Sequence, residues 1–168
     1  IIDDEASFTR MVKLNLEKTG EFEVREENRA GSALSAAREF KPDLIILDVI
    51  MPAMDGGDVA NLIKNDRLLR GTPIIFLTAF TTPTILERAR KAEPFGYVVK
   101  PFEERELISN IEMAIYKHTT ERKLRASENK FRGVIENSSD AIALADERGS
   151  LIEWNRAAEQ ITGLRRSE

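Results

Sequence analysis

Asp48 closes a continuous apolar run, Leu44-Ile45-Ile46-Leu47, and other polar residues close runs of the same kind: Asp3-Asp4 after Ile1-Ile2, Thr78 after Ile74-Ile75-Phe76-Leu77, and Lys100 after Tyr97-Val98-Val99. Short β-rich runs like these read as strands buried on both faces, and in an open parallel sheet ligands bind beyond the carboxyl ends of the strands. The four run ends therefore predict one site of carboxylates, a hydroxyl and an ammonium. A phosphoryl group in flight spreads negative charge over its equatorial oxygens and needs a nucleophile, a divalent cation and fixed positive charge around it. Asp48 is the expected nucleophile and would form an acyl phosphate. Mg²⁺ prefers oxygen ligands and keeps several waters, so Asp3 and Asp4 supply the remaining carboxylate charge for it. Lys100 pairs with one phosphoryl oxygen as a point charge, and the Thr78 hydroxyl donates to another. Each residue alone has an ordinary structural reading: acids after a strand suit a helix N-terminus, and an Asp near Pro52 and Asp55-Gly56 suits a turn. Their joint arrival at four successive strand ends is what points to chemistry.

Helices must hold those strands in place, and apolar residues recur at helical spacing between the runs. The sets are Phe8, Met11, Val12 and Leu16; Leu34, Ala37 and Phe40; Val59, Leu62 and Ile63; and Ile85, Leu86 and Ala89. With a further strand over Phe22–Val24 and a helix from Glu103, the pattern is a repeat of five strands and five helices. That repeat predicts an α/β fold, a doubly wound parallel sheet covered on both faces. Turn signals such as Lys41-Pro42-Asp43 and Asp55-Gly56-Gly57 separate the elements. No Gly or Pro interrupts Glu103 to Arg132, which predicts a helix long enough to leave its own domain. Its first turns offer Leu107, Ile111, Ala114 and Ile115 to the sheet, beside Tyr97. Its later turns carry a sparse stripe, Leu124, Phe131 and Ile135, that a second copy could cover, so a homodimer through helix 103–135 is expected. From Asp140 the period changes to two, with a turn at Asp146-Glu147-Arg148-Gly149 and a helix capped by Asn155: the opening hairpin of a second, α+β domain.

The 168 residues are 42% apolar and 32% charged, ordinary for a globular protein. A net charge of -4 argues against nucleic acid as a partner, since such binding needs a basic surface that displaces counterions. No apolar run approaches the roughly 20 residues that span a bilayer, so no membrane association and a cytoplasmic location are expected. The absence of cysteine excludes disulfides and thiolate metal sites. Opening on Ile, within a two-residue apolar run, the sequence reads as a fragment that starts inside a strand. His118, the sole histidine, reads as an exposed helical position, and Trp154 as core.

Residues 1–118 resemble a receiver domain of two-component signalling. The matching pieces are Ile2-Asp3-Asp4-Glu5, Leu47-Asp48-Val49-Ile50-Met51-Pro52-Ala53-Met54-Asp55-Gly56, Leu77-Thr78-Ala79 and Gly96-Tyr97-Val98-Val99-Lys100-Pro101-Phe102. The resemblance implies a flavodoxin-like sheet of order 2-1-3-4-5. It also implies that Asp48 takes its phosphoryl group from a histidine kinase or phosphotransfer domain, and that the Ile50 carbonyl joins Asp4 and Asp48 around Mg²⁺. Thr78 and Tyr97 would be the switch pair, and Lys100-Pro101 a cis peptide. Ala92-Glu93-Pro94-Phe95 departs from the Gly-Ala that the family more often has before its fifth strand. Ile50 and Phe80, two residues past Asp48 and Thr78, are apolar and bulky, which predicts slow loss of the phosphoryl group by hydrolysis.

Residues 131–168 resemble the start of a PAS sensor domain, truncated at Glu168, through Phe131, Ile135-Glu136-Asn137-Ser138, Asp140-Ala141-Ile142, Asp146, Gly149, Asn155 and Thr162-Gly163. Residues 119–130 would then be a helical linker, and the parent a sensor or hybrid histidine kinase. An alternative for the catalytic set is a Mg²⁺-dependent aspartate-nucleophile phosphohydrolase. Such enzymes place a second acid two residues after the nucleophile, where this chain has Ile50. A dinucleotide-binding reading fails because Asp3-Asp4-Glu5-Ala6-Ser7 stands where a Gly-rich phosphate loop would be needed.

Overall fold

The structure, a computed structural model, describes residues 1–79 and 94–164. The expected helix around Ile85, Leu86 and Ala89, the Ala92-Glu93 part of the family departure, and Phe80 lie outside them. In chain order the elements are α1 (Ala6–Lys18), α2 (Ala33–Phe40), β1 (Ile45–Asp48), α3 (Gly56–Asn65), β2 (Ile74–Thr78) and β3 (Gly96–Val99). They continue as α4 (Glu104–Glu136), β4 (Ala143–Ala145), β5 (Leu151–Trp154) and α5 (Arg156–Thr162). The chain divides into two compact units, Ile1–His118 and Thr119–Glu168.

In the first unit β1, β2 and β3 form a parallel sheet in that order, with Ile45 opposite Ile74 and Ile75 opposite Gly96. Ile2 extends it by parallel bridges to Leu47 on one side and Glu27 on the other. From edge to edge the segments are therefore Glu27, Ile2, β1, β2 and β3, the 2-1-3-4-5 order, with the first two strands reduced to single bridges. The second segment is displaced from its expected place. Phe22 and Val24 carry no strand pairing; pairing falls at Arg25 and Glu27, where the Ile1 amino group donates to the Arg25 carbonyl at 2.7 Å and Glu27 N–H to the Ile1 carbonyl at 2.9 Å. Phe22 and Val24 instead lie half-buried against the layer that holds Leu16 and Ile111.

Strand parity decides which layer each side chain enters. Ile45, Leu47, Ile74 and Phe76 face α2 and α3 and meet Ala33, Ala37, Val59 and Ile63. Ile46, Ile75, Leu77 and Val98 face α1 and α4 and meet Val12, Leu16, Leu107, Ile111 and Ala114. Burying each such Ile or Leu contributes about 1.5–3 kcal/mol, so both layers are needed to hold a sheet this narrow. The parity also corrects one expectation. Tyr97 packs in the α2/α3 layer, stacked on Phe76 with ring centroids 5.8 Å apart, and so lies across the sheet from Leu107 and Ile111 rather than beside them. Met11 and Leu62, expected on the inner faces of their helices, are exposed.

In the second unit β4 and β5 pair antiparallel around a turn in which Asp146 Oδ1 accepts from the N–H groups of Arg148 and Ser150 at 2.9 and 2.8 Å. Asn155 is fully buried and ties four segments together. Its amide donates to the carbonyls of Ile135 and Asp140, and its Oδ1 accepts from Ile142 and Ala158 N–H, all at 2.9 Å. Ile135 is buried in this unit, so it is not part of an exposed stripe; Leu124, Phe131 and Val134 are the exposed apolar residues of that stretch.

Candidate functional site

The ladder that joins the strands also aligns their ends. Asp48 N–H donates to the Ile2 carbonyl at 2.8 Å, Val49 N–H to Leu77 at 2.9 Å, and Lys100 N–H to Thr78 at 2.7 Å. Adjacent strands lie about 4.8 Å apart, so side chains at the ends of consecutive strands come within reach of one another. Carboxylate oxygens of Asp3, Asp4 and Asp48 lie within 4.8 Å of one another. Asp3 and Asp48 are buried and Asp4 is exposed, so the cluster opens to solvent on the Asp4 side. Lys100 Nζ bridges the two buried acids, 2.5 Å from Asp3 Oδ2 and 3.3 Å from Asp48 Oδ2. Asp3 Oδ1 accepts from Glu5 N–H at 2.9 Å, so one oxygen of Asp3 holds the turn while the other holds Lys100.

Burial pushes the Asp48 carboxyl above its ordinary value of 3.8; the neighbouring Lys100 ammonium opposes that push, Asp3 reinforces it, and the Ile50 N–H favours the ionised form. The Ile50 side chain is exposed. The Thr78 hydroxyl is buried and makes no hydrogen bond among the described residues. A buried hydroxyl without a partner is expensive, and this one closes the strand paired with the one that ends in Asp48. Three carboxylates on a partly open site form a donor set that fits a hard divalent cation such as Mg²⁺. Tyr97 sits one strand residue before Val98 with its ring turned inward onto Phe76, and Lys100-Pro101 is cis.

Several supporting residues were not marked by the sequence pattern. Asn28 Nδ2 donates to the Asp3 carbonyl at 2.7 Å and reaches Thr9 Oγ1 at 2.9 Å, and Thr9, buried on the inner face of α1, bonds Glu26 Oε2 at 3.2 Å. This network fixes the acidic turn against α1 and the edge segment. A polar residue at an inner helical position was the available signal for Thr9. Gly56, which the sequence offers as a turn residue and as the end of the receiver-like segment from Leu47, packs so closely under Asp48 that a Cβ there would lie 2.1 Å from the Asp48 carbonyl oxygen. Asp55 caps α3 by accepting from Asp58 N–H at 2.9 Å, which holds that close approach in place.

This arrangement defines a receiver of the two-component type. Residues 1–112 match the family model for the response regulator receiver domain, and the chain belongs to that family. Residues 129–168 match a PAS domain model. Among curated relatives, the transcriptional regulatory protein PdtaR of Mycobacterium tuberculosis (strain CDC 1551 / Oshkosh) is 40% identical over 115 residues, covering 68% of this chain and 55% of that protein. The chain spans about half the length of the curated relatives it matches. Among solved structures, the signal receiver domain of a modulated diguanylate cyclase from Desulfovibrio desulfuricans G20 superposes with a TM-score of 0.64 at 28% identity, over 71% of this chain and 94% of that one. The signal receiver domain of a signal transduction histidine kinase from Syntrophus aciditrophicus gives 0.63 at 28% identity, over 69% and 87%. No described helix is long and apolar enough to cross a membrane.

Proposed function

We propose that residues 1–118 accept a phosphoryl group on Asp48 from the phosphohistidine of a histidine kinase or phosphotransfer domain. What supports this reading is the convergence of three carboxylates at one end of the sheet with an ammonium shared between the two buried ones. Asp4 and Asp48, with the Ile50 carbonyl, would hold Mg²⁺, and Asp3 completes the acidic set. When bound, the cation supplies the positive charge that lets a carboxylate approach an anionic phosphorus. A carboxylate oxygen of Asp48 attacks in line with the leaving imidazole; an O–P bond forms, the P–N bond breaks, and the imidazole nitrogen keeps the electron pair. Lys100 then pairs with a phosphoryl oxygen, and the Thr78 hydroxyl, which has no partner among the described residues, donates to another. As Thr78 turns toward the phosphoryl group, the packing behind it changes at Tyr97, which makes these two the switch pair.

The remaining parts follow the same reading. The receiver ends at His118, residues 119–130 are a helical linker within α4, and 131–168 begin a PAS domain of a cytoplasmic sensor or hybrid histidine kinase. The exposed Leu124, Phe131 and Val134 pair with a second copy of the chain, and nucleic acid is not a partner of these residues. The decisive experiment is intact-mass analysis after incubation with acetyl phosphate and Mg²⁺. One phosphoryl adduct is expected on the protein and none on Asp48→Asn; an undiminished adduct in the variant would refute Asp48 as acceptor.

A further inference from the structure

Lys100 has a third neighbour that neither the acidic cluster nor the phosphoryl chemistry requires. Its Nζ lies 4.4 Å from the centroid of the Phe8 ring on α1. That ring is itself held edge-on by Phe102, with centroids 5.9 Å apart and an interplanar angle of 79°. Both rings are half-buried against the layer of Val98 and Leu107. The ammonium therefore sits among Asp3, Asp48 and an aromatic face, with its side chain 18% exposed.

Phosphorylation changes only one of those three neighbours. Once Asp48 becomes an acyl phosphate, the charge it carried moves out to the phosphoryl oxygens, and Lys100 has to follow. A lysine on a flexible four-carbon stem can also follow its hydration into solvent, whereas the negative face of an aromatic ring keeps it at the site. We propose that Phe8 is a positioning residue, whose ring holds the Lys100 ammonium over the site while its ion pair passes from Asp48 to the phosphoryl oxygen. The inference rests on the reading of Asp48 as phosphoacceptor given above. An apolar filler would serve the packing of this layer equally well as leucine; an electrostatic seat for an ammonium would not.

The test compares Phe8→Leu, Phe8→Tyr and Phe8→Trp with the wild-type chain for the rate of phosphorylation by acetyl phosphate and for the apparent Kd of beryllofluoride, both with Mg²⁺. Phe8→Leu should lose about 3–10-fold in each, and the two aromatic variants should stay within about twofold of wild type, in keeping with the strength of a partly desolvated cation–π contact. Replacing Phe8 by 3,4,5-trifluorophenylalanine, which weakens the face of the ring at nearly constant shape, should give a loss like that of leucine. Equal rates in Phe8→Leu and wild type, or equal losses in the Leu and Tyr variants, would overturn the proposal. A separate arm needs no phosphoryl donor: the Lys100 ε-methylene protons, assigned by their disappearance in Lys100→Ala, should be shifted upfield by the ring and return to ordinary values in Phe8→Leu. Absence of that shift also overturns it. Failure of the wild-type chain to take up a phosphoryl group would instead count against the Asp48 reading, leaving the proton shift to decide the placement of Lys100.

Discussion

Asp48 is held between opposing influences, and burial is the larger. Because its folded pKa lies above the unfolded value of 3.8, it contributes stability that is fully present below the unfolded pKa and is lost as pH rises through the folded one. Removing the charge should therefore stabilise the protein at neutral pH: Asp48→Asn should raise Tm by about 2–6 °C at pH 7, with the gap closing as pH falls toward 4, read by thermal scans across that range. A variant less stable than wild type at pH 7 would mean that the ion pair with Lys100 outweighs the burial. Asp66 behaves with the opposite sign. Arg38 binds its carboxylate through two nitrogens, and the Leu68 and Leu69 N–H groups bond it as well, so its pKa is lowered and its contribution is lost only as pH falls. The residues that converge at the end of the sheet are legible from type and position alone, because each closes an apolar run. Asn28 and Thr9 are not, since they act where α1 packs on the edge segment, and Phe8 is not, since it meets Lys100 and Phe102 from the far end of the chain; no local pattern encodes either contact.

At the scale of elements, legibility followed the strength of the local signal. The central strands, each four or five residues and wholly buried, are continuous apolar runs and were located directly. The edge segment lies a few residues later than its pattern suggests, because Phe22 and Val24 look like a strand while serving as half-buried cover, and the bridge at Glu27 has no apolar signature. The layer of Tyr97 is not legible for a related reason: the pattern gives the alternation along β3 but not which face meets α4. The Asn155 cap and the turn at Asp146 were legible because their side chains bond the backbone a few residues away. Asn155→Ala should remove four hydrogen bonds and strand buried backbone groups, costing about 2–4 kcal/mol within the second unit. Hydrogen exchange should accelerate across residues 135–158 while amides in β1 and β2 keep their protection. Equal acceleration in β1 and β2 would show that the two units unfold together.

For the whole molecule, the question the sequence left open is what covers the exposed apolar residues of α4. Leu124, Phe131 and Val134 lie within a helix of 33 residues, and an isolated helix gains little by presenting them to water. Pairing with a second copy removes that surface at about 25 cal/mol per Å². Sedimentation equilibrium should show a monomer–dimer equilibrium at tens of micromolar, with Phe131→Glu monomeric over the same range. A wild-type chain that remains monomeric at high micromolar concentration would exclude the pairing. The expected stripe included Ile135, which the second unit buries for itself, so a seam between two copies would be narrower than the sequence suggests and the association correspondingly weaker.

The glycine under Asp48 has a consequence for how this gene can change. Every glycine codon is GGN, and every missense neighbour one base away encodes a residue with a Cβ. At Gly56 that atom would collide with the backbone of the acceptor residue itself, so no single-nucleotide missense change there is spared the clash. In a saturation library sorted on phosphorylation-dependent output, position 56 should be depleted of all substitutions alike, alanine and serine included. Ile50, two residues past the acceptor with its side chain in solvent, should tolerate most of them in a library sorted on folding alone.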